Sequence, residues 1–187
     1  MDHVFSEVFA IDEVLCSDNA QQFYTQINRQ LATPAFLPRA LFERFNIEVI
    51  ATTESPLDPL EAHQKLARDP WPGRVVTAFR PDPVLDPDYE NFAANIAAMA
   101  DLSGIACDTY KGYLGALRER RAFFKSLGAT STDHGHPTPA TADLDTATME
   151  RLYGGALDGT LTPKEAELFR GHMLLEMALM SLDDGLV

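Results

Sequence analysis

An α/β fold with a small parallel sheet is what this sequence predicts, and three observations predict it. Short strand-like runs at residues 47–52, 75–79 and 129–132, the first two largely apolar, alternate with amphipathic stretches of helical length. The order strand, helix, strand, helix pair, strand is that of βα units, whose crossovers place successive strands in parallel. Each strand-like run also ends in polar, titratable residues, and in a parallel sheet those ends share one edge. Three strands are fewer than the eight of a closed barrel or the five or six of a doubly wound sheet.

The opening third is helical. Residues 1–16 lack a clear period and read as an irregular lead-in or short helix. Ser17 is placed as an N-cap, with Asp18 beside the positive end of the dipole and Phe23, Ile27 and Leu31 on one face of a helix over 18–32. Pro34 stops it, and Pro38 opens another over 38–45. The β-branched run at 47–52 is expected as a buried strand, which divides the chain into a helical subdomain, 1–46, and a β/α portion, 47–187.

A helix over 60–68 ends at Asp69-Pro70-Trp71-Pro72-Gly73, and 75–79 forms the second strand. Asp86 and Pro87 are expected to start the next helix, with Phe92, Ile96 and Met99 on its apolar face. The helix over 109–127 ends at Gly128 and carries Arg118, Arg120, Arg121 and Lys125, expected as a solvated face. After the third strand comes a Thr/Pro/Ala linker and a short helix over 143–153. Thr162-Pro163-Lys164-Glu165 then opens the last helix with a cap, an N1 proline and a capping-box glutamate. Met173, Met177 and Met180 form a stripe on it that is expected in the core.

The chain has 187 residues, 15 basic and 28 acidic, for a net charge of -13. That balance argues against nucleic acid or an anionic membrane as partner, since both need a basic footprint. No apolar run approaches the roughly 20 residues of a membrane span, and no signal-peptide pattern opens the sequence, so the cytoplasm is the expected compartment. Cys16 and Cys107 are expected as ordinary reduced thiols. His63 and His172 are expected as helix-face histidines.

Three strand ends carry the candidate chemistry: Thr52-Thr53-Glu54, Arg80-Pro81-Asp82 and Thr132-Asp133-His134. Arg80 suits a carboxylate or phosphate, or a structural ion pair with Asp82. Asp133 suits a general base, a metal ligand or an orienter of His134, or a plain strand-end cap. His134 and His136 have metal-ligand spacing, but Gly135 and Pro137 indicate a turn, so no metal ligand is assigned within the chain.

Residues 41–58, Leu-Phe-Glu-Arg-Phe-Asn-Ile-Glu-Val-Ile-Ala-Thr-Thr-Glu-Ser-Pro-Leu-Asp, resemble a block of the uronate (glucuronate) isomerases. Phe79-Arg80-Pro81-Asp82 and Thr132-Asp133-His134-Gly135 resemble the next two motifs of that family, in order. The resemblance implies an amidohydrolase-superfamily enzyme and a partial (β/α)8 TIM-barrel segment of about three parallel strands with an added helical subdomain. It implies interconversion of D-glucuronate with D-fructuronate and of D-galacturonate with D-tagaturonate. Arg80 would bind the uronate, Asp133 would lie near the reacting centre, and His134 and Thr53 would be neighbours. A divalent metal such as zinc is implied for full-length members through ligands outside this chain, with no cofactor held by this segment. The family is longer, so the isolated segment is expected to be inactive and, with open sheet edges, to form a homo-oligomer. The alternatives are a metal-dependent hydrolase of the same superfamily and a non-catalytic assembly module.

Overall fold

The computed structural model describes residues 1–187, which divide into two compact units, Met1–Val49 and Ile50–Val187. The first unit holds α1 (Asp2–Phe9), α2 (Ala20–Leu31), a 3-10 turn at Pro34–Phe36, and α3 (Pro38–Arg44). Phe5, Ile11 and Phe23 form its small nucleus, with the Phe5 and Phe23 rings edge to face. Arg44 donates to the carbonyls of Glu7 and Val8, where the α1 dipole is negative. The expected Ser17 cap is displaced to Asn19, and Asn19 Oδ1 accepts from the Cys16 backbone N–H before α2 begins.

Three parallel strands form one open sheet: β1 (Val49–Glu54), β2 (Arg74–Phe79) and β3 (Ser131–Thr132), in the order β1-β2-β3. Neighbours in sequence are neighbours in the sheet, as in a sector of a (β/α)8 barrel, with no switch in strand order. Register between β2 and β3 pairs Ala78 with Ser131 and Phe79 with Thr132. Beyond β3, Val187 exchanges backbone hydrogen bonds with Thr130 and Thr132.

β1 starts two residues later than its composition suggests. Ile47 N–H bonds back to the Phe42 carbonyl, with Asn46 in the left-handed region, so Ile47 closes α3 instead of opening the strand. Nor is β1 a fully buried strand; its residues alternate between exposed and half-buried. β2, by contrast, is buried from Val76 to Phe79, which is why its apolar run is continuous.

The helices of this unit are α4 (Glu61–Arg68), α5 (Asp82–Leu85), α6 (Phe92–Ser103), α7 (Tyr110–Ser126), α8 (Thr146–Asp158) and α9 (Pro163–Asp184). Their core joins Phe79 and Phe124, edge to face, to stacked Tyr113 and Tyr153. Met173, Met177 and Met180 lie in this core, as their spacing indicates. No helix is long and apolar enough to cross a membrane.

Two expectations are corrected. The helix assigned to Asp86 starts at Phe92, because Arg170 binds Asp86 and Asp88 at 2.8 and 2.6 Å and holds that segment as a turn. The basic residues of α7 are not all solvated: Arg120 and Arg121 are buried. Arg120 donates to the Pro56 and Asp58 carbonyls, and Arg121 is paired with Asp184 at 2.7 Å. Charge spacing on a helix does not reveal acceptors arriving from distant parts of the chain.

Candidate active site

The site is assembled where β2 and β3 end. Asp133 N–H donates to the Phe79 carbonyl at 3.0 Å, extending the β2–β3 pairing by one residue, and this sets Asp133 beside Arg80. Arg80 N–H in turn donates to the Glu54 carbonyl at the end of β1. Backbone pairing thus brings the ends of three strands to one edge before any side chain acts.

Arg80 then spans two carboxylates. Its Nε donates to Asp82 Oδ2 at 2.7 Å and its Nη1 to Asp133 Oδ2 at 3.1 Å. Asp82, first by hydrogen bonding and then by its charge, raises the Arg80 pKa, and the charge of Asp133 adds to this. The other Asp82 oxygen, Oδ1, accepts the Gly135 N–H at 2.8 Å, tying the turn after β3 to the start of α5. Gly135 is required by contact: a Cβ there would lie 2.7 Å from both Arg80 Nη2 and Asp82 Oδ2. The guanidinium is nevertheless 46% exposed, and Nη2, which lies against Gly135, makes no hydrogen bond and keeps its donors unused.

His134 and His136 flank Gly135, their rings edge to face with centroids 5.6 Å apart. Burial, followed by the neighbouring His136, lowers the His134 pKa and favours the neutral imidazole. His134 also lines an open cleft of about 380 Å³ whose other walls include Leu174, Leu175 and Met177 of α9.

Of the sequence-designated residues, Arg80, Asp133 and His134 are brought together, and Thr53 is not joined to them. Thr53 is exposed on β1, on the opposite face from Thr52 and Glu54, and makes no side-chain hydrogen bond. Those two half-buried neighbours are tied inward instead. Thr52 Oγ1 lies 2.9 Å from His63 Nε2, and Glu54 accepts from Thr77 Oγ1 and faces His63 at 3.9 Å. His63 is therefore a buried, partnered residue, as is His172, whose Nδ1 accepts the Leu144 N–H. Asp82 was visible in sequence only as an ion-pair partner of Arg80. Its second bond, to Gly135, depends on a chain separation of 53 residues that local spacing cannot disclose.

Against known proteins, the profile of the glucuronate isomerase family matches residues 4–187. The chain belongs to the glucuronate isomerase family. It is 58% identical over its whole length to a uronate isomerase of Rhizorhabdus wittichii and 57% identical to one of Xanthomonas axonopodis pv. citri. It spans 40% of the length of each of these curated relatives. Its fold superposes on the crystal structure of glucuronate isomerase from Caulobacter crescentus with a TM-score of 0.94, at 50% identity, covering 99% of this chain and 39% of that one. The uronate isomerase of Thermotoga maritima, at 23% identity and a TM-score of 0.89, shares the fold, with 97% of this chain and 40% of that one covered. Family members therefore contain this α/β sector within a longer protein.

Proposed function

We propose that this chain forms part of a uronate isomerase, interconverting D-glucuronate with D-fructuronate and D-galacturonate with D-tagaturonate within the cytoplasm. The observation that carries the proposal is the contact between Arg80 and Asp133 at neighbouring strand ends, in a chain matched by the glucuronate isomerase family across residues 4–187. The complete barrel, its amidohydrolase-superfamily membership and homo-oligomeric assembly belong to the same proposal.

The chemistry follows from the substrate. A hexuronate presents a carboxylate at one end and an aldehyde at the other. Arg80, half-exposed at the strand edge, holds the carboxylate, which explains a cationic substrate site in a protein of charge -13. Asp133 keeps Oδ1 available and takes the proton from C2 as the C1 oxygen gains one from solvent, leaving an enediol; the proton on Asp133 then returns to C1 as the C2 hydroxyl releases its own to solvent. The C1 aldehyde becomes a hydroxyl-bearing carbon, the C2 hydroxyl becomes the ketone, and no net redox partner is consumed. His134 stands beside this exchange as a neutral hydrogen-bonding group. The family's divalent metal takes its ligands outside this chain in this scheme, and no step above passes through it.

The test exchanges residues 1–187 for the matching segment of the Caulobacter crescentus enzyme. The chimera is expected to form ketose from D-glucuronate. Arg80→Met in the chimera should lower kcat/KM by roughly 100-fold or more, on the order expected when a charge-assisted substrate contact is lost. A folded chimera that makes no ketose, or one indifferent to Arg80→Met, overturns the proposal.

A further inference from the structure

Three side chains with metal-ligating atoms converge beside Arg80. Asp82 opens α5 directly after β2, while His134 and His136 follow β3 on either side of Gly135. One ligand atom from each of the three lies within 4.8 Å of the other two. Because Gly135 has no side chain, the turn can press against Arg80 and Asp82, and that approach draws both imidazoles toward the carboxylate.

The imidazole nitrogens are the decisive observation. His134 Nδ1 and both ring nitrogens of His136 are shielded from solvent and have no hydrogen-bond partner. Buried polar atoms are nearly always satisfied, and unpartnered imidazole nitrogens on two residues grouped with one carboxylate call for a ligand. Asp82 can supply one. Each of its oxygens already accepts one N–H, from Arg80 or from Gly135, and each retains a second lone pair. The local charge also favours a cation: Asp82 and Asp133 are balanced by Arg80 alone, leaving one carboxylate in excess.

We propose that Asp82, His134 and His136 bind a divalent first-row transition metal at the edge where β2 and β3 end. Two imidazoles and one carboxylate are the donor set of zinc, cobalt and ferrous sites, whereas calcium and magnesium prefer oxygen throughout. With bonds of about 2.0–2.1 Å, ligand atoms around a tetrahedral ion sit roughly 3.4 Å apart. The triad contracts to that spacing by side-chain rotation within the exposed turn. Three protein ligands leave at least one coordination position to water. The H-x-H spacing set aside in the sequence because of Gly135 and Pro137 is thus completed by Asp82, a residue 52 positions away from His134. The site stands on residues of this chain and does not depend on the isomerase proposal.

The test uses the 187-residue protein freed of metal with a chelator and then dialysed. Zinc is titrated in competition with a chromophoric chelator, and cobalt is titrated while its visible ligand-field bands are recorded. One equivalent is expected to bind in the micromolar range or tighter, with cobalt bands characteristic of nitrogen and oxygen ligands. His134→Gln and His136→Gln should each weaken binding by roughly 30-fold or more, as loss of one of three ligands does. Asp82→Asn should weaken it as well, and His3→Ala should leave it unchanged. Far-UV circular dichroism of each variant keeps loss of a ligand separate from loss of the fold. Absence of stoichiometric binding below about 100 μM, or binding untouched in the folded His134→Gln/His136→Gln double variant, overturns the proposal.

Discussion

Arg121 is fully buried, and the acceptors that make this tolerable come from the other end of the second unit. Its Nε and Nη2 donate to the two oxygens of Asp184, and Nη2 also reaches Ser181 Oγ and the Leu186 carbonyl. The Phe79 ring lies 5.7 Å away on the guanidinium face. Taking away the carboxylate would leave a buried charge with only neutral acceptors. Asp184→Asn is therefore expected to destabilise the protein by about 3 kcal/mol, the lower end of the range because Asp184 is partly solvated. Urea denaturation at pH 7 checks this; a change below about 0.5 kcal/mol would mean that the pair carries little weight. The same residue shows a limit of local reading. Arg118, Arg120, Arg121 and Lys125 look alike in sequence, yet two are buried, because burial depends on whether a carbonyl or carboxylate arrives from elsewhere.

At the scale of the element, α9 is the helix most fully written in its sequence. Thr162 Oγ1 accepts from the Glu165 N–H and the Glu165 carboxylate accepts from the Thr162 N–H, the reciprocal pair that the Thr-Pro-Lys-Glu run announces. Thr162→Ala is expected to cost about 1 kcal/mol, measured as a lowered thermal midpoint. The Thr162 backbone N–H, then Arg151 and the Thr162 hydroxyl, lower the Glu165 pKa from 4.5 to about 2. A carboxyl group with a depressed folded pKa stabilises the fold above its unfolded value and loses that contribution as pH falls through the folded one. Stability from this cap should therefore be intact above pH 4.5 and decline between pH 4.5 and about 2. Glu165→Gln should flatten the thermal midpoint against pH across that window; an unchanged slope would count against the cap. Elements with weaker local signals were less legible. β3 has only two residues, held by pairing to Phe79 and Val187, and α6 yields its expected first turn to the bonds that Arg170 makes.

For the whole molecule, 28 acidic residues against 15 basic ones make self-repulsion a general term in stability. Screening shortens the reach of that repulsion from about 10 Å at 0.1 M salt to about 3 Å at 1 M. Raising sodium chloride from low concentration to 0.5 M should therefore raise the thermal midpoint by a few degrees, about 2–4 °C for a gain near 1 kcal/mol. A fall instead would show that specific ion pairs such as Arg80–Asp82 outweigh the global field.

What the sequence determined by itself are the features encoded within a few residues: helical or extended period, the Thr162 cap, the methionine stripe and the strand ends that carry Arg80 and Asp133. The family motifs were legible for the same reason, as short ordered strings. Tertiary structure alone decided which buried arginines find acceptors, where Asp82 meets Gly135, and that His134 and His136 gather with a carboxylate 52 and 54 positions away in the chain. Those outcomes depend on parallel pairing of β2 with β3, a contact between distant segments whose result no local spacing contains.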